Sequence, residues 1–197
     1  IEDPAPILAH LQIEGTRLEP KQILALEKIL STCRQVQVLI RNAEPVDAYP
    51  NLRRIAGAIP DTKSLLSKTE GKILPNGDIS DTASANLRLI RKELADRRAR
   101  IHRALEQIIR TRSQAMQEEI ITFRNERFVI PVRTDSRNQV PGVVHGLSSS
   151  GQTTFIEPLT IIEQNNDLVR LHERETAEIS TILLEVSDWF RGSLEEI

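Results

Sequence analysis

The 197-residue sequence has one cysteine, Cys33, which rules out an internal disulfide and any multi-thiolate metal site. The simplest reading of that residue is a small buried hydrophobe in a reducing compartment. Aromatics are also scarce, at 3% of the chain, too few rings for a platform of the kind that grips single-stranded nucleic acid. No run of 18 apolar residues occurs, so no membrane-spanning helix and no membrane partner are expected. Neither sign of charge dominates: 26 Lys and Arg face 28 Asp and Glu, and a formal charge of −2 creates no global field that would draw in nucleic acid. The opening Ile1-Glu2-Asp3-Pro4 lacks the charged and apolar regions of a signal peptide. The start therefore reads as a cut within a longer, cytoplasmic chain. His10, His102, His145 and His172 are scattered, with no metal-ligand spacing and no nucleophile motif nearby, so hydrolytic chemistry is not expected of these residues.

With 39% hydrophobic and 27% charged residues, the chain is long and apolar enough to bury a core. Its first eighty residues read as several short helices punctuated by Pro4, Pro6, Pro20, Pro45, Pro50, Pro60 and Pro75. The strongest starts at Glu19-Pro20 and runs to about Asn42, with Ile23, Leu24, Leu26, Ile29, Leu30, Cys33, Val36 and Ile40 on one broad face. Leu52, Ile55 and Ile59, then Leu65 and Leu66, suggest two shorter helices, and Pro75-Asn76-Gly77-Asp78 is a turn. Together these make a helical core over residues 1–80.

From Asp81 to about residue 118 there is neither glycine nor proline, and Leu87, Ile90, Leu94, Ile101, Leu105 and Ile108 form a seam interrupted by Arg97. A long helix of ~54 Å is expected. Residues 119–157 then switch to strand alternation. Ile120–Arg124 and Arg127–Arg133 flank Asn125-Glu126, and Val140–Leu147 and Gln152–Ile156 flank Ser148-Ser149-Ser150-Gly151. Pro131 cannot donate to a ladder and belongs on an edge or at a bulge. Pro158 then opens a second long helix over 158–197, ~60 Å long, with Ile162, Leu168 or Val169, His172, Ile179, Leu183, Val186, Phe190 and Leu194 on its seam.

The charges are divided between the two long helices. Arg88 to Arg112 holds nine basic and three acidic residues, and Glu157 to Ile197 holds three basic and ten acidic. Antiparallel pairing with charges flanking the seam is the economical arrangement, and it makes Arg97, Arg98, Arg100 and Arg103 partners of the acidic arm before they are ligands of phosphate. The expected fold is α+β, mainly α. It consists of a helical core and two long antiparallel helices with a small antiparallel β module at their tip.

Particular residues now carry a family likeness. Ile79-Ser80-Asp81-Thr82-Ala83-Ser84 with Leu87 and Ile90-Arg91, Ile121 through Arg133, Pro141 through Pro158, and Asn165-Asn166-Asp167-Leu168 resemble the type-two MutS family. The resemblance implies a core domain, a pair of lever helices and a clamp at their tip. In the longer parent it further implies a dimerising ATPase domain that takes ATP and magnesium, and commonly an Smr-type endonuclease. No G-x-x-x-x-G-K-[ST] occurs here, and Gly71-Lys72 lacks both the upstream glycine and the following hydroxyl, so this segment is expected to be non-catalytic and without a cofactor. Members suppress homologous recombination and some are implicated in splitting stalled ribosomes, which makes branched or duplex DNA, ribosomal or structured RNA and a second parent subunit the implied partners. Where the family has Asn-Gly at the first hairpin, this chain has Asn125-Glu126, and a turn of another type is expected because positive φ at glutamate is costly.

If the tip is a clamp, Arg124, Arg127, Arg133 and Arg137 are its candidate phosphate contacts, and Ser149 and Ser150 could offer amides and hydroxyls to an anion. The plainer alternatives are a solvated polar sheet face and an ordinary hairpin loop. Phe155-Ile156-Glu157 imitates the Phe-x-Glu wedge of mismatch-reading MutS proteins but is rejected as one: the glutamate precedes a helix, where a carboxylate favours the dipole. Asn165, Asn166 and His172 are read as buried polar groups that fix helix register. The competing function is a coiled-coil scaffold arm that docks a protein or ribosome with no direct DNA contact.

Overall fold

The computed structural model describes residues 3–44 and 49–194; Ile1-Glu2, Pro45 and positions 195–197 of the acidic arm lie outside the described residues. The fold is α+β and mainly α. Its helices are α1 (Ala5–Leu11), α2 (Pro20–Arg41), α3 (Pro50–Ala58), α4 (Lys63–Thr69), α5 (Ala85–Thr111) and α6 (Ile162–Gly192), and its strands are β1 (Thr122–Arg124), β2 (Arg127–Arg133), β3 (Gly142–Leu147) and β4 (Thr153–Pro158). The chain divides into two compact units, one of Ile1–Arg88 with Ala177–Ile197 and one of Leu89–Thr176.

In the first unit α2 starts where expected. Pro20 suits the first turn, and a capping box joins Glu19 and Gln22, whose Oε1 accepts the Glu19 N–H at 2.9 Å. Ile23, Leu26 and Leu30 bury against Leu11, Leu18, Leu66 and Ile73, and the C-terminal part of α6 adds Ile182, Leu183, Val186 and Phe190. Each such side chain taken out of water contributes about 1.5–3 kcal/mol before entropy. Polar ties lock α6 to the N-terminal segment: the Leu18 N–H donates to Ser187 Oγ at 2.9 Å, and Arg191 donates to the carbonyls of Leu11 and Thr16. The broad face of α2 is not covered throughout. Val36 is exposed and Cys33 is half-buried, so Cys33 is not the fully buried hydrophobe expected.

In the second unit α5 and α6 run antiparallel, because their paired residues climb on one helix as they fall on the other. Arg91 pairs with Glu175 at 2.7 Å, Glu93 with Arg174 at 3.2 Å and Arg97 with Asp167 at 3.0 Å. Arg97 thus fills the gap in its seam with an interhelical ion pair. Two seam positions differ from expectation. Ile109 is buried and Ile108 only partly so, and Leu171 is buried beside a partly buried His172, while Leu87, Ile90, Leu94, Ile101, Leu105, Leu168, Leu183, Val186 and Phe190 are buried as expected. Both helices are also shorter than expected, 27 and 31 residues or about 40 and 46 Å. Short 3-10 turns at Ser113–Ala115 and Leu159–Ile161 occupy part of the difference, and Pro158 ends β4 instead of opening α6.

The sheet is wholly antiparallel, in the order β1-β2-β4-β3. Both hairpins form where the alternation and turn residues place them. Asn125 and Glu126 have φ of 50° and 61°, so the tight turn keeps the left-handed form at both central residues, and the expectation of another turn type is corrected. The right-handed twist of the strands demands that form, and it outweighs the local cost at Glu126. Pro131 lies beyond the end of β1, where its carbonyl accepts the Gln117 N–H at 3.0 Å. N–H and C=O of one strand residue point the same way, so the donor that proline lacks is not one β4 needs. Ile90, Leu94, Ile101, Leu105, Ile130, Val132, Ile156, Ile161 and Leu168 form this unit's core.

Candidate nucleic-acid interface

The candidate side chains of the β module do not form one patch. Arg124 and Arg127 bracket the first turn, whereas Arg133 closes the far end of β2, six residues or roughly 20 Å along the strand. Arg124 lays its guanidinium over the Phe155 ring, 3.6 Å from the centroid, an interaction that orients the arginine and shields the ring. At the other end Arg133 makes a two-pronged, exposed contact with Asp135, at 3.4 and 3.2 Å, and holds that carboxyl below its ordinary value. Arg137, on the turn that follows, is exposed and has no ion pair among the described residues.

Arg127 stands in a different environment. It donates to Glu157 Oε1 at 2.9 Å and to Asn166 Oδ1 at 2.8 Å. Glu157, with its side chain 3% exposed, also accepts from Asn165 Nδ2 at 2.8 Å and, at Oε2, from His145 Nε2 at 2.7 Å. Burial works to raise this carboxyl, but the hydrogen bonds from Asn165, His145 and Arg127 outweigh it and hold the group below its ordinary value. Asn165, fully buried, completes the cluster: its Oδ1 accepts the Phe128 N–H and its Nδ2 donates to the Phe128 carbonyl, both at 3.1 Å. One carboxylate therefore joins β2, β3, β4 and the start of α6.

Two sequence readings are corrected by this cluster. Glu157 is a strand residue and the hub of a buried charge network, not a carboxylate at a helix terminus. Asn165 and Asn166 dock α6 onto the first hairpin; they do not set its register against α5. His172 is only partly buried and meets Arg98 across the helix pair at 3.1 Å. Arg97 and Arg98 thus meet α6 as expected, whereas Arg100 and Arg103 make no ion pair among the described residues.

Arg133 shares a polar cleft of about 520 Å³ with Gln117, Thr134, Asp135, Gly151 and Gln152. The Thr134 hydroxyl donates to the Gly151 carbonyl at 2.7 Å, which fastens the serine loop beside Arg133. Ser149 and Ser150 stand exposed at the loop's tip, while Ser148 serves the turn itself, its hydroxyl accepting the Thr153 N–H at 3.1 Å. The geometry thus brings Arg133 beside Gly151 of the serine loop with Ser149 and Ser150 outside the cleft, leaves Arg137 without an ion pair among the described residues, keeps Arg124 at the opposite end, and commits Arg127 to Glu157. Among the described residues no group of three or more histidines, cysteines or carboxylates is placed to hold a metal ion, and no helix is long and apolar enough to cross a membrane.

No family model matches the chain. It is 39% identical over 176 residues to Endonuclease MutS2 of Pelotomaculum thermopropionicum, an alignment covering 88% of this chain and 22% of the relative. It is 34% identical over 189 residues to Endonuclease MutS2 of Alkaliphilus oremlandii, covering 95% of this chain and 24% of the relative. With Endonuclease MutS2 of Clostridium acetobutylicum the identity is 36% over 174 residues, or 88% and 22% of the two chains. The chain thus spans less than a quarter of the length of these relatives. Across nearly its whole extent it is a segment of the type-two MutS family, and to that family it belongs.

Proposed function

We propose that this segment is the core, lever and clamp portion of a MutS-type ATPase whose β module grips branched or structured DNA, in suppression of homologous recombination. The observation that carries the reading is the cleft in which Arg133 meets Gly151 at the end of the serine loop, with Arg137 on the next turn making no ion pair among the described residues. An arginine and a hydroxyl in a polar recess, Arg133 and Thr134, with exposed Arg137, Ser149 and Ser150 close by in sequence, suit phosphate oxygens once the phosphate displaces Asp135 from Arg133, and such contacts position a nucleic acid without reading its sequence. Arg124 is a second contact at the other end of β2, and Arg127 supports the sheet from within. The segment itself is non-catalytic. Its parent binds ATP and magnesium in a dimerising domain, carries the endonuclease activity that the relatives' names state, and acts in the cytoplasm. Nucleotide-driven motion reaches the module through α5 and α6 and changes how tightly two clamps hold their substrate. Ribosomal RNA, with its A-form phosphate backbone, is a further target of the same chemistry.

A second reading has its own support. Val143, Val144 and Leu147 are exposed on β3, an edge strand, and this apolar edge suits a scaffold arm that docks a protein or ribosome without touching DNA. Fluorescence anisotropy with a labelled four-way DNA junction, a linear duplex and an RNA hairpin separates the two. The clamp reading expects binding that weakens steeply with salt, and a loss of about tenfold or more at low salt in Arg133→Gln/Arg137→Gln. Indifference to all three probes, or binding unchanged by salt and by the double variant, favours the scaffold.

A further inference from the structure

Three of the chain's four phenylalanines, Phe123, Phe128 and Phe155, lie in the β module, so the scarcity of aromatics in the whole chain conceals a local concentration. Phe155 is buried and covered by Arg124. Phe128 packs edge-on against His102 of α5, with ring centroids 5.0 Å apart and planes at 71°. Phe123 continues this stack on Phe128, at 5.0 Å and 66°, yet remains 56% exposed. An aromatic ring that shows more than half its surface loses the burial that would explain it as core. Phe128, itself braced by His102, supports the ring edge-on, which reduces the ordering cost of stacking a ligand on it.

The surroundings of the ring narrow the ligand class. Arg127 is neutralised by Glu157, so of the two arginines at the turn Arg124 is the one left for a phosphate, with the Glu126 carboxylate two residues on. On α5, Arg98 lies one turn before His102 on the same helix face and is exposed, so a cation stands near the stack without lying on it. A flat apolar ring with polar and cationic neighbours matches an unstacked nucleobase attached to its own phosphates. An apolar protein partner would instead require a contiguous greasy patch. We infer that Phe123 is a stacking face for an unpaired base at a DNA branch point, so that the hairpin tip discriminates branched from continuous DNA while the Arg133 end holds the backbone. This rests on the clamp reading and adds the substrate feature that the clamp selects. Duplex DNA keeps its bases stacked inside and offers the ring nothing, whereas a branch exposes one at little cost.

The test measures affinities of the chain for a three-way junction carrying 2-aminopurine at the branch and for a continuous duplex of equal phosphate number. Phe123→Ala is expected to weaken junction binding about tenfold, or about 1.4 kcal/mol. It is expected to leave duplex affinity within about twofold and to abolish the quenching of 2-aminopurine seen with the unaltered chain. Phe123→Leu should behave like the alanine variant despite its similar bulk, and Phe123→Trp should restore both discrimination and quenching. Equal losses on the two probes, or full discrimination in Phe123→Leu, would overturn the stacking role while leaving the clamp standing. Failure of the unaltered chain to bind either probe would overturn both.

Discussion

Glu157 has almost no contact with solvent, and its partners are 30, 12 and 8 residues away in the chain, at Arg127, His145 and Asn165. Nothing local in Phe155-Ile156-Glu157-Pro158 announces them, which is why a glutamate before a proline reads so readily as a helix-end charge. Its folded-state carboxyl lies below the ordinary value, so the unfolded chain takes up a proton first as pH falls. The stabilisation is complete above the ordinary carboxylate range and is lost as pH drops through that range toward the folded value. Thermal melts should therefore show a lower midpoint on acidification below about pH 5. In Glu157→Gln this dependence should flatten, and stability at neutral pH should fall by about 3 kcal/mol as Arg127 loses its buried partner. Two backbone positions allow predictions of opposite sign. A Cβ on Gly142 would come within 2.2 Å of the Glu157 carbonyl oxygen, so Gly142→Ala should cost about 2–3 kcal/mol in chemical denaturation. Glu126 sits at φ 61°, and Glu126→Gly should gain about 1 kcal/mol by the same measurement.

At the scale of elements, legibility follows the range of the interaction that decides each feature. The start of α2 and both hairpins are set by residues within a few positions of one another, at Glu19-Pro20-Lys21-Gln22, Asn125-Glu126 and Ser148 to Gly151, and their places were readable, though the turn type at Asn125-Glu126 was not. The placing of β2 beside β4 was not, because pairing across twenty or more residues leaves no periodic trace in either strand. Opposite charge on the two long helices did predict their antiparallel pairing, and Arg91 with Glu175 is its best-formed contact, 2.7 Å long with both side chains mostly buried. Alanine substitutions at each and at both should show a coupling of about 0.5–1 kcal/mol that shrinks at high salt. Zero coupling would remove charge pairing as an explanation of the helix register. The β3 edge shows why an exposed apolar strand need not aggregate: its pairing with β4 slips between Val144 and Leu147, around Gly146 at φ 132°, and an irregular edge is a poor template.

For the molecule as a whole, the contacts form two units, each with its own core and each drawing on both long helices. Texture changes where secondary structure changes, but a compact unit closes wherever apolar faces meet, which for α5 and α6 is partway along each helix. The six candidate nucleic-acid residues show the same limit. Residue type and strand alternation were enough to nominate Arg124, Arg127, Arg133, Arg137, Ser149 and Ser150, but only tertiary contacts distinguish an arginine turned to a polar cleft from one tied to Glu157. The most direct test of the clamp is the slope of log affinity against log salt for junction DNA, measured for the unaltered chain and for Arg133→Gln/Arg137→Gln. The account predicts a negative slope that becomes shallower by about 1.8, roughly 0.9 for each phosphate contact removed. An unchanged slope would contradict it.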